Sequence, residues 1–284
     1  MDFLWHLTFI ISNWIPSALA YNLIFGKGKI LHFGPVGVSV AAAYATFITL
    51  SMTQSYALAI LSGTIVSLLI SALFAWLSLR LEPDGLGVMS IAVHLALLAI
   101  VLNSSSLTRG ALGIPRIARM PGLESLEAIA IVSMLFAALS VFFFLMINRS
   151  AFGRQVAALA EHSSHASALG ISRTRIHFIL FAIAGLIAVM INLLFPQYIH
   201  LLHPNDYQFV SLIFFVMFVV AGKPGSVWGV TFATILILLL KEGLRFVHLP
   251  ADILGPTRLI LFGLILFGAV WWRRDALFPP QRKI

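Results

Sequence analysis

Nine histidines and a short set of acidic and basic residues are the groups of this chain from which chemistry could be built. His162 and His165 lie three residues apart, as do His200 and His203, so either pair could share a helix face. Two nitrogens fall short of a catalytic zinc centre, which takes three protein ligands and an open position. Solvated interfacial histidines are the simpler account, and no metal site is expected. Glu242 and Arg245 repeat the same spacing beside Lys241 and form a candidate structural ion pair, or snorkel from a helix end. The motifs of covalent and metal-assisted hydrolysis, G-x-S-x-G and H-E-x-x-H, do not occur, nor does the Walker A phosphate loop. No catalytic residue and no bound cofactor are expected; any ATP and magnesium would belong to another chain.

The elements that must carry these residues are set by composition. Of 284 residues 60% are hydrophobic and 10% are charged, whereas soluble domains carry about 25% charged residues. Such a chain has no polar exterior to present to water, so the fold class is an all-α integral membrane protein. Helices are expected over a barrel because the apolar runs continue for roughly 20 residues. The absence of cysteine excludes disulfides and thiolate metal sites. The net charge of +8 is read as topogenic, with no nucleic-acid partner. No cleavable signal peptide is expected, because the first apolar run has no basic stretch ahead of it.

Nine spans are expected, near 3–25, 31–51, 57–80, 86–104, 126–148, 176–196, 208–222, 227–247 and 256–272, as one transmembrane domain over 1–284. The seventh is short enough to be tilted, broken or re-entrant. Placing the 149–175 loop in the cytoplasm puts 12 Lys and Arg residues inside and 6 outside, which supports an outer N-terminus and an inner C-terminus. Glycines, Pro35 and His32 interrupt the start of the second span. That stretch is either re-entrant backbone beside a pathway or a hairpin that ends before the lipid. The loop from Asn103 to Gly122 either docks an external partner or packs over the bundle. Small residues at Ala41, Ala42 and Ala43, at Ala182, Ala184, Gly185 and Ala188, and at Gly263 and Gly268 suit close helix packing. Polar residues at depth (Asn22, His32, Tyr44, His94, Asn103 and Asn192) either face a translocation pathway or bond neighbouring helices.

The long polar segment 152–171 separates two apolar runs. As one helix over 154–169 it would be about 24 Å long. Val156, Leu159, Ser163, Ala166 and Gly170 would form a weakly apolar stripe suited to a groove. Ser163 or Ser164 could instead cap a shorter second helix, which Gly170 would end. A third arrangement lays the helix on the lipid surface, but the large apolar residues this needs are missing.

Within this segment Gly153, Arg154, Ala158, Glu161, Ala166, Ala168, Leu169, Gly170, Ile171 and Arg175 resemble the cytoplasmic coupling loop of ATP-binding-cassette (ABC) importer permeases. The similarity is closest to the branched-chain amino-acid and urea permeases. Four further patches follow in the family's order: Asn22 to Gly26 with Leu31 to Gly34 and Tyr44; Ser106 to Gly110 with Gly113 to Pro115; Gly222 to Ser226 with Trp228 and Gly229; and Glu242 with Arg245. Ala157 and Ala160 stand where the family usually has arginines and Ser163 where it often has Glu, so this coupling surface is less charged. Pro35 and the His94–Leu95 neighbourhood also depart from the family pattern.

The resemblance implies a permease of the type II importer kind with about 8–10 helices in the bacterial inner membrane. It would import branched-chain or related amino acids, or alternatively urea and short amides. Two ATPase subunits would dock on Gly153, Arg154, Glu161, Ala168, Leu169 and Gly170. A second permease, homologous or identical, and a periplasmic or lipoprotein substrate-binding protein would complete the assembly. The competing classes are an ATP-independent transporter or channel, which would need coupling carboxylates at depth, and a membrane scaffold without transport.

Overall fold

The computed structural model describes residues 2–243 and isolated helical positions between 257 and 271. Arg245 and 8 of the 17 residues of the expected ninth span lie outside the described residues. The first helix, α1 (Asp2–Tyr21), runs without a break into a π-helical turn, Asn22–Lys27. It is followed by α2 (Pro35–Thr53), α3 (Tyr56–Arg80), α4 (Pro83–Asn103), the single turn α5 (Ser105–Thr108) and α6 (Leu126–Arg149). Next come α7 (Ala151–Glu161), α8 (Ser163–Ala168), α9 (Arg173–Ile199), α10 (Phe209–Gly222) and α11 (Val227–Gly243). Among the described residues six helices are long and apolar enough to cross a membrane. These are the first six expected spans, and the expected seventh and eighth coincide with the shorter α10 and α11.

Local chemistry sets the helix starts. Pro35 and Pro83 occupy first-turn positions, where the missing N–H costs nothing. The hydroxyls of Ser125, Ser150 and Ser172 accept from the backbone N–H groups of Ala128, Gly153 and Arg175. At 14 residues α10 rises about 21 Å, short of the ~30 Å hydrocarbon layer, as the sequence suggested.

α1 is the central helix, packed by α6, α9, α10 and α11. On one side α2, α3 and α9 form a second group, with α4 against α2. Small residues make these contacts close: Ser67 Oγ donates to Gly185 O at 2.7 Å between α3 and α9, and Ala42 and Ala43 are fully buried. Gly263 and Gly268, by contrast, have no neighbouring atom within 4 Å of a would-be Cβ among the described residues. The outer faces of α3 and α6 expose Leu61, Ile65, Leu69, Leu139 and Phe142, which is what lipid requires.

After Lys27 the backbone climbs back into the bundle. Tyr21 Oη donates to His32 O at 3.0 Å, so residue 32 lies level with residue 21, and His32 is 2% exposed. The irregular stretch therefore folds back along α1 and buries His32 in the protein, while Lys29 stays exposed.

At the opposite end the 104–125 loop packs over the bundle. Ile114 and Pro115 (β1) pair antiparallel with Leu202 and Leu201 (β2), and Gln197 Oε1 accepts from Met120 N at 2.7 Å. Arg119 Nε donates to Gln197 O, which ties the loop to the end of α9.

The α10–α11 hairpin depends on backbone contact. A Cβ on Gly229 would collide with Gly222 O, and one on Gly222 with the backbone of Val230. Gly229→Ala is expected to cost about 1–3 kcal/mol and to lower the thermal unfolding temperature in detergent. Gly243→Ala, which meets nothing, should leave it unchanged. Equal unfolding temperatures for both variants would refute the packing assignment.

Candidate functional site

Two features stand apart from plain helix packing: the polar projection α7–α8 and a pair of neighbouring cavities in the bundle. The projection starts at Ser150, whose hydroxyl accepts from Gly153 N at 3.1 Å and turns the chain out of α6. A Cβ on Gly153 would strike Ile147 O and press on Lys27 Nζ, so α7 lies directly on the end of α6 and on the π-turn. The segment is not one 24 Å helix. It breaks at His162, whose φ of −147° and ψ of 91° leave the helical region, and α8 begins there with no side-chain cap from Ser163 or Ser164.

Gly170 ends α8, as the sequence suggested. Its φ is +82°, its N–H donates to Ser167 O at 3.0 Å, and Ile171 N donates to Ala166 O at 3.1 Å. This is the double hydrogen-bond pattern of a Schellman stop.

The apolar stripe faces the other way from the expectation. Gly153, Val156, Leu159 and Ala166 are buried against the chain's own bundle, while Ser163 and Gly170 are exposed. An apolar face at helical spacing packs on whichever surface is nearest, and here that surface is intramolecular. The outward face presents Arg154, Glu161, Ser164, His165, Ala168 and Leu169, the last 82% exposed. His162 and His165 rings lie 5.2 Å apart, and no group of three metal-ligating side chains exists among the described residues.

A polar clasp lies beneath the projection. Lys27 Nζ donates to Asn148 Oδ1 at 2.8 Å and to Asn148 O at 3.3 Å. Asn148 Nδ2 donates to Gly225 O at 3.3 Å, Gly225 N donates to Asn22 Oδ1 at 2.8 Å, and Asn22 Nδ2 reaches Ser226 O. The clasp joins the π-turn, the end of α6 and the α10–α11 turn. π-turns recur at functional sites, and this one presents Asn22 and Lys27 to two different partners.

The larger cavity, about 390 Å³, lies between α1, α2, α9, α10 and the 204–208 turn. Trp14, Phe195, Phe214 and Phe215 give it an apolar wall, and Asn13, Asp206 and Lys241 add polar groups. Lys241 Nζ lies 5.6 Å from the centre of the Phe214 ring. Crowding by the chamber wall raises the Asp206 carboxyl pKa, against the opposing pull of His203 and Lys241. Ser17, Ser39 and Phe215 are shared with a second cavity of about 30 Å³, which ends at His32, Tyr21 and Phe181. His32 packs on the Phe181 ring at 4.9 Å, and its Nε2 has no hydrogen-bond partner among the described residues.

Of the five pathway candidates, His32 borders a cavity. Asn22 belongs to the clasp. Tyr44 and His94 are buried and line neither cavity, the His94 ring lying against Gly37. Asn103 is exposed and donates to Ala99 O within its own helix. Asn192 lines the chamber and is held by Tyr207 Oη at 2.8 Å. Glu242 is within 3.6 Å of His6 Nε2, while the expected partner Arg245 is outside the described residues. His6 Nδ1 in turn meets Tyr198 Oη, so this cluster joins α1, α9 and α11. Asn13 and Asp206 escaped the sequence reading, and Lys241 entered it only beside Glu242, because no spacing relates the three; the fold alone brings them to one chamber.

Residues 6–270 match the sequence profile of the family described as "Branched-chain amino acid transport system / permease component". The chain belongs to this permease family. It is 26% identical to the high-affinity branched-chain amino acid transport system permease protein LivM of Salmonella typhimurium, over 95% of this chain and 69% of that protein. The LivM of Escherichia coli gives the same identity and coverage. A probable branched-chain amino acid transport permease protein LivM of Methanocaldococcus jannaschii is 24% identical over 94% of this chain and 83% of its own length. No solved structure matches significantly. The permease is a transport subunit with an all-helical membrane fold, and the family match extends well beyond residues 152–171, to nearly the whole chain.

Asn148→Leu removes both side-chain bonds of the clasp and leaves the Lys27 ammonium with a poorer partner. It should cost about 1–3 kcal/mol and lower the unfolding temperature, while Asn148→Asp, which keeps the acceptor for Lys27, should lose less. A stability equal to wild type for the Leu variant would refute the clasp.

Proposed function

We propose that this permease is one membrane half of an ATP-driven importer that carries branched-chain or related amino acids across the bacterial inner membrane. The observation that carries the reading is the two-faced build of α7–α8: one face is fixed to the bundle, and the other offers Arg154, Glu161, Ala168 and Leu169 outward. Such a rigid polar projection suits docking to an ATPase subunit at each of two permeases, the second being a copy or a homologue. A substrate-binding protein would deliver the solute to the opposite end, where the chamber lies. ATP, with its magnesium, would be bound and hydrolysed on the partner chains. The surplus of Lys and Arg on the loop side supports a cytoplasmic placement of α7–α8. The aromatic chamber wall favours an aliphatic amino acid over urea or a short amide.

In this mechanism, closure of the ATPases moves α7–α8, and the clasp passes the movement to the π-turn and the α10–α11 turn. The bundle then alternates between outward- and inward-open states. Gly170→Pro forces a φ near −65° on a position at +82° and strains the stop by about 1–3 kcal/mol. Glu161→Arg inverts a charge on the exposed face. In the reconstituted complex both variants should keep ATP hydrolysis and lose most ATP-dependent uptake. Normal uptake by both would refute the assigned docking role.

A further inference from the structure

We infer that His32 is a fixed hydrogen-bond donor for the carboxylate of the carried solute, which it takes in the small cavity together with the hydroxyls of Ser17, Ser39 and Ser71. This rests on the permease reading above and assigns one contact within it.

Three observations converge. First, the hydrogen bonding selects one tautomer of the ring. Its Nδ1 accepts from Gly34 N at 3.2 Å, so the ring proton sits on Nε2, and a doubly protonated ring would set N–H against N–H. Second, that Nε2–H is a donor without an acceptor. His32 is 2% exposed, and its Nε2 has no hydrogen-bond partner among the described residues. A buried donor left incomplete is costly and calls for an acceptor beside it. The ring is also held in place. The His32 carbonyl accepts from Tyr21 Oη at 3.0 Å, and the rings of Tyr21, Phe74 and Phe181 lie 5.5, 6.1 and 4.9 Å from the imidazole. Third, the small cavity that His32 borders carries the hydroxyls of Ser17, Ser39 and Ser71 and, among the described residues, no carboxylate, Lys or Arg. The Nε2–H can only donate, so it does not bind the ammonium end of an amino acid. A carboxylate offers two oxygens with about four lone-pair sites, enough for the imidazole and the hydroxyls together. The carbonyl of urea or a short amide offers a single oxygen. One water needs at least about 10–15 Å³ of such space, so the cavity's ~30 Å³ suits a carboxylate head and excludes a whole leucine. Ser17 and Ser39 also line the large chamber, whose ~390 Å³ has room for the rest of the solute.

The absence of cysteine from this chain makes a clean assay. Ala184 lines the small cavity and is not one of the donors. Ala184→Cys places a single thiol in the permease, and its alkylation by iodoacetamide is read by intact mass in the reconstituted complex during ATP turnover. Leucine and 4-methylpentanoate, which both carry the carboxylate, should slow the reaction. Isopentylamine and 4-methylpentanamide, which lack it, should not at equal concentration. This series tests the carboxylate preference with His32 intact. Adding His32→Asn keeps an oxygen for Gly34 N and removes the Nε2 donor. It should raise the leucine concentration needed for protection by roughly ten- to a hundredfold, as when one hydrogen bond to a charged group is lost. His32→Gln returns an N–H near the Nε2 position and should restore part of the protection. Unchanged alkylation without solute shows that the cavity has formed in each variant. Equal protection by the amine or the amide, or unchanged leucine protection in His32→Asn, overturns the assignment. So does a thiol that no compound protects, the result for a histidine that meets water alone. A thiol that never reacts overturns it too, since a cavity closed in every state admits no solute. ATP-driven uptake of labelled leucine by the wild-type complex is measured in parallel. Its absence overturns the importer reading and leaves the cavity result to stand by itself.

Discussion

The bond from the Lys27 ammonium to Asn148 Oδ1, at 2.8 Å, is the contact on which the end of this bundle beneath α7–α8 depends. Polar groups at or near membrane depth have little water to turn to, so they must find one another. Lys27, Asn148, Gly225 and Asn22 do so in a chain that crosses three elements distant in sequence. Because Lys27 is held there, the π-turn ends at a fixed place, and the backbone after it can re-enter the protein as far as His32. Because Gly153 leaves room beside Lys27 Nζ, α7 packs on the same spot. One cluster thus positions the segment after the π-turn, the α10–α11 turn and the base of the α7–α8 projection.

The same geometry ties the projection to the chamber. α1 passes through the clasp at its inner end and lines the chamber through Asn13, Trp14 and Ser17. α10 and α11 leave the clasp turn and reach the chamber with Phe214 and Lys241. In the proposed mechanism a displacement of α7–α8 would act on the ends of three helices whose other parts line the chamber.

Different parts of this protein were visible in the sequence to different degrees, for physical reasons. The spans were, because a hydrocarbon layer demands continuous apolar runs, and the boundaries of α3 and α6 fall within two residues of the reading. The stop at Gly170 was visible because a left-handed residue after a helix selects glycine. The direction of the Val156–Leu159–Ala166 face was not, since an apolar stripe looks the same whether its partner is another protein or the protein's own bundle. The break at His162 was one of the arrangements the sequence left open, through the serines at 163 and 164, although neither hydroxyl caps α8. Asn13, Asp206 and Lys241 were invisible as a group because their proximity comes from tertiary packing. The pairing of Glu242 with His6 was missed for the same reason, because the eye goes first to the neighbour at i+3.

The central claim is that the clasp links the docking projection to the chamber, and a single thiol at Ser211 on the chamber wall tests it most directly. Its alkylation rate would be measured in the reconstituted complex with ADP and with ATP plus vanadate, with and without Asn148→Leu. The account predicts a several-fold change in rate between nucleotide states that disappears in the variant. The same nucleotide-dependent change in a folded Asn148→Leu complex would contradict it.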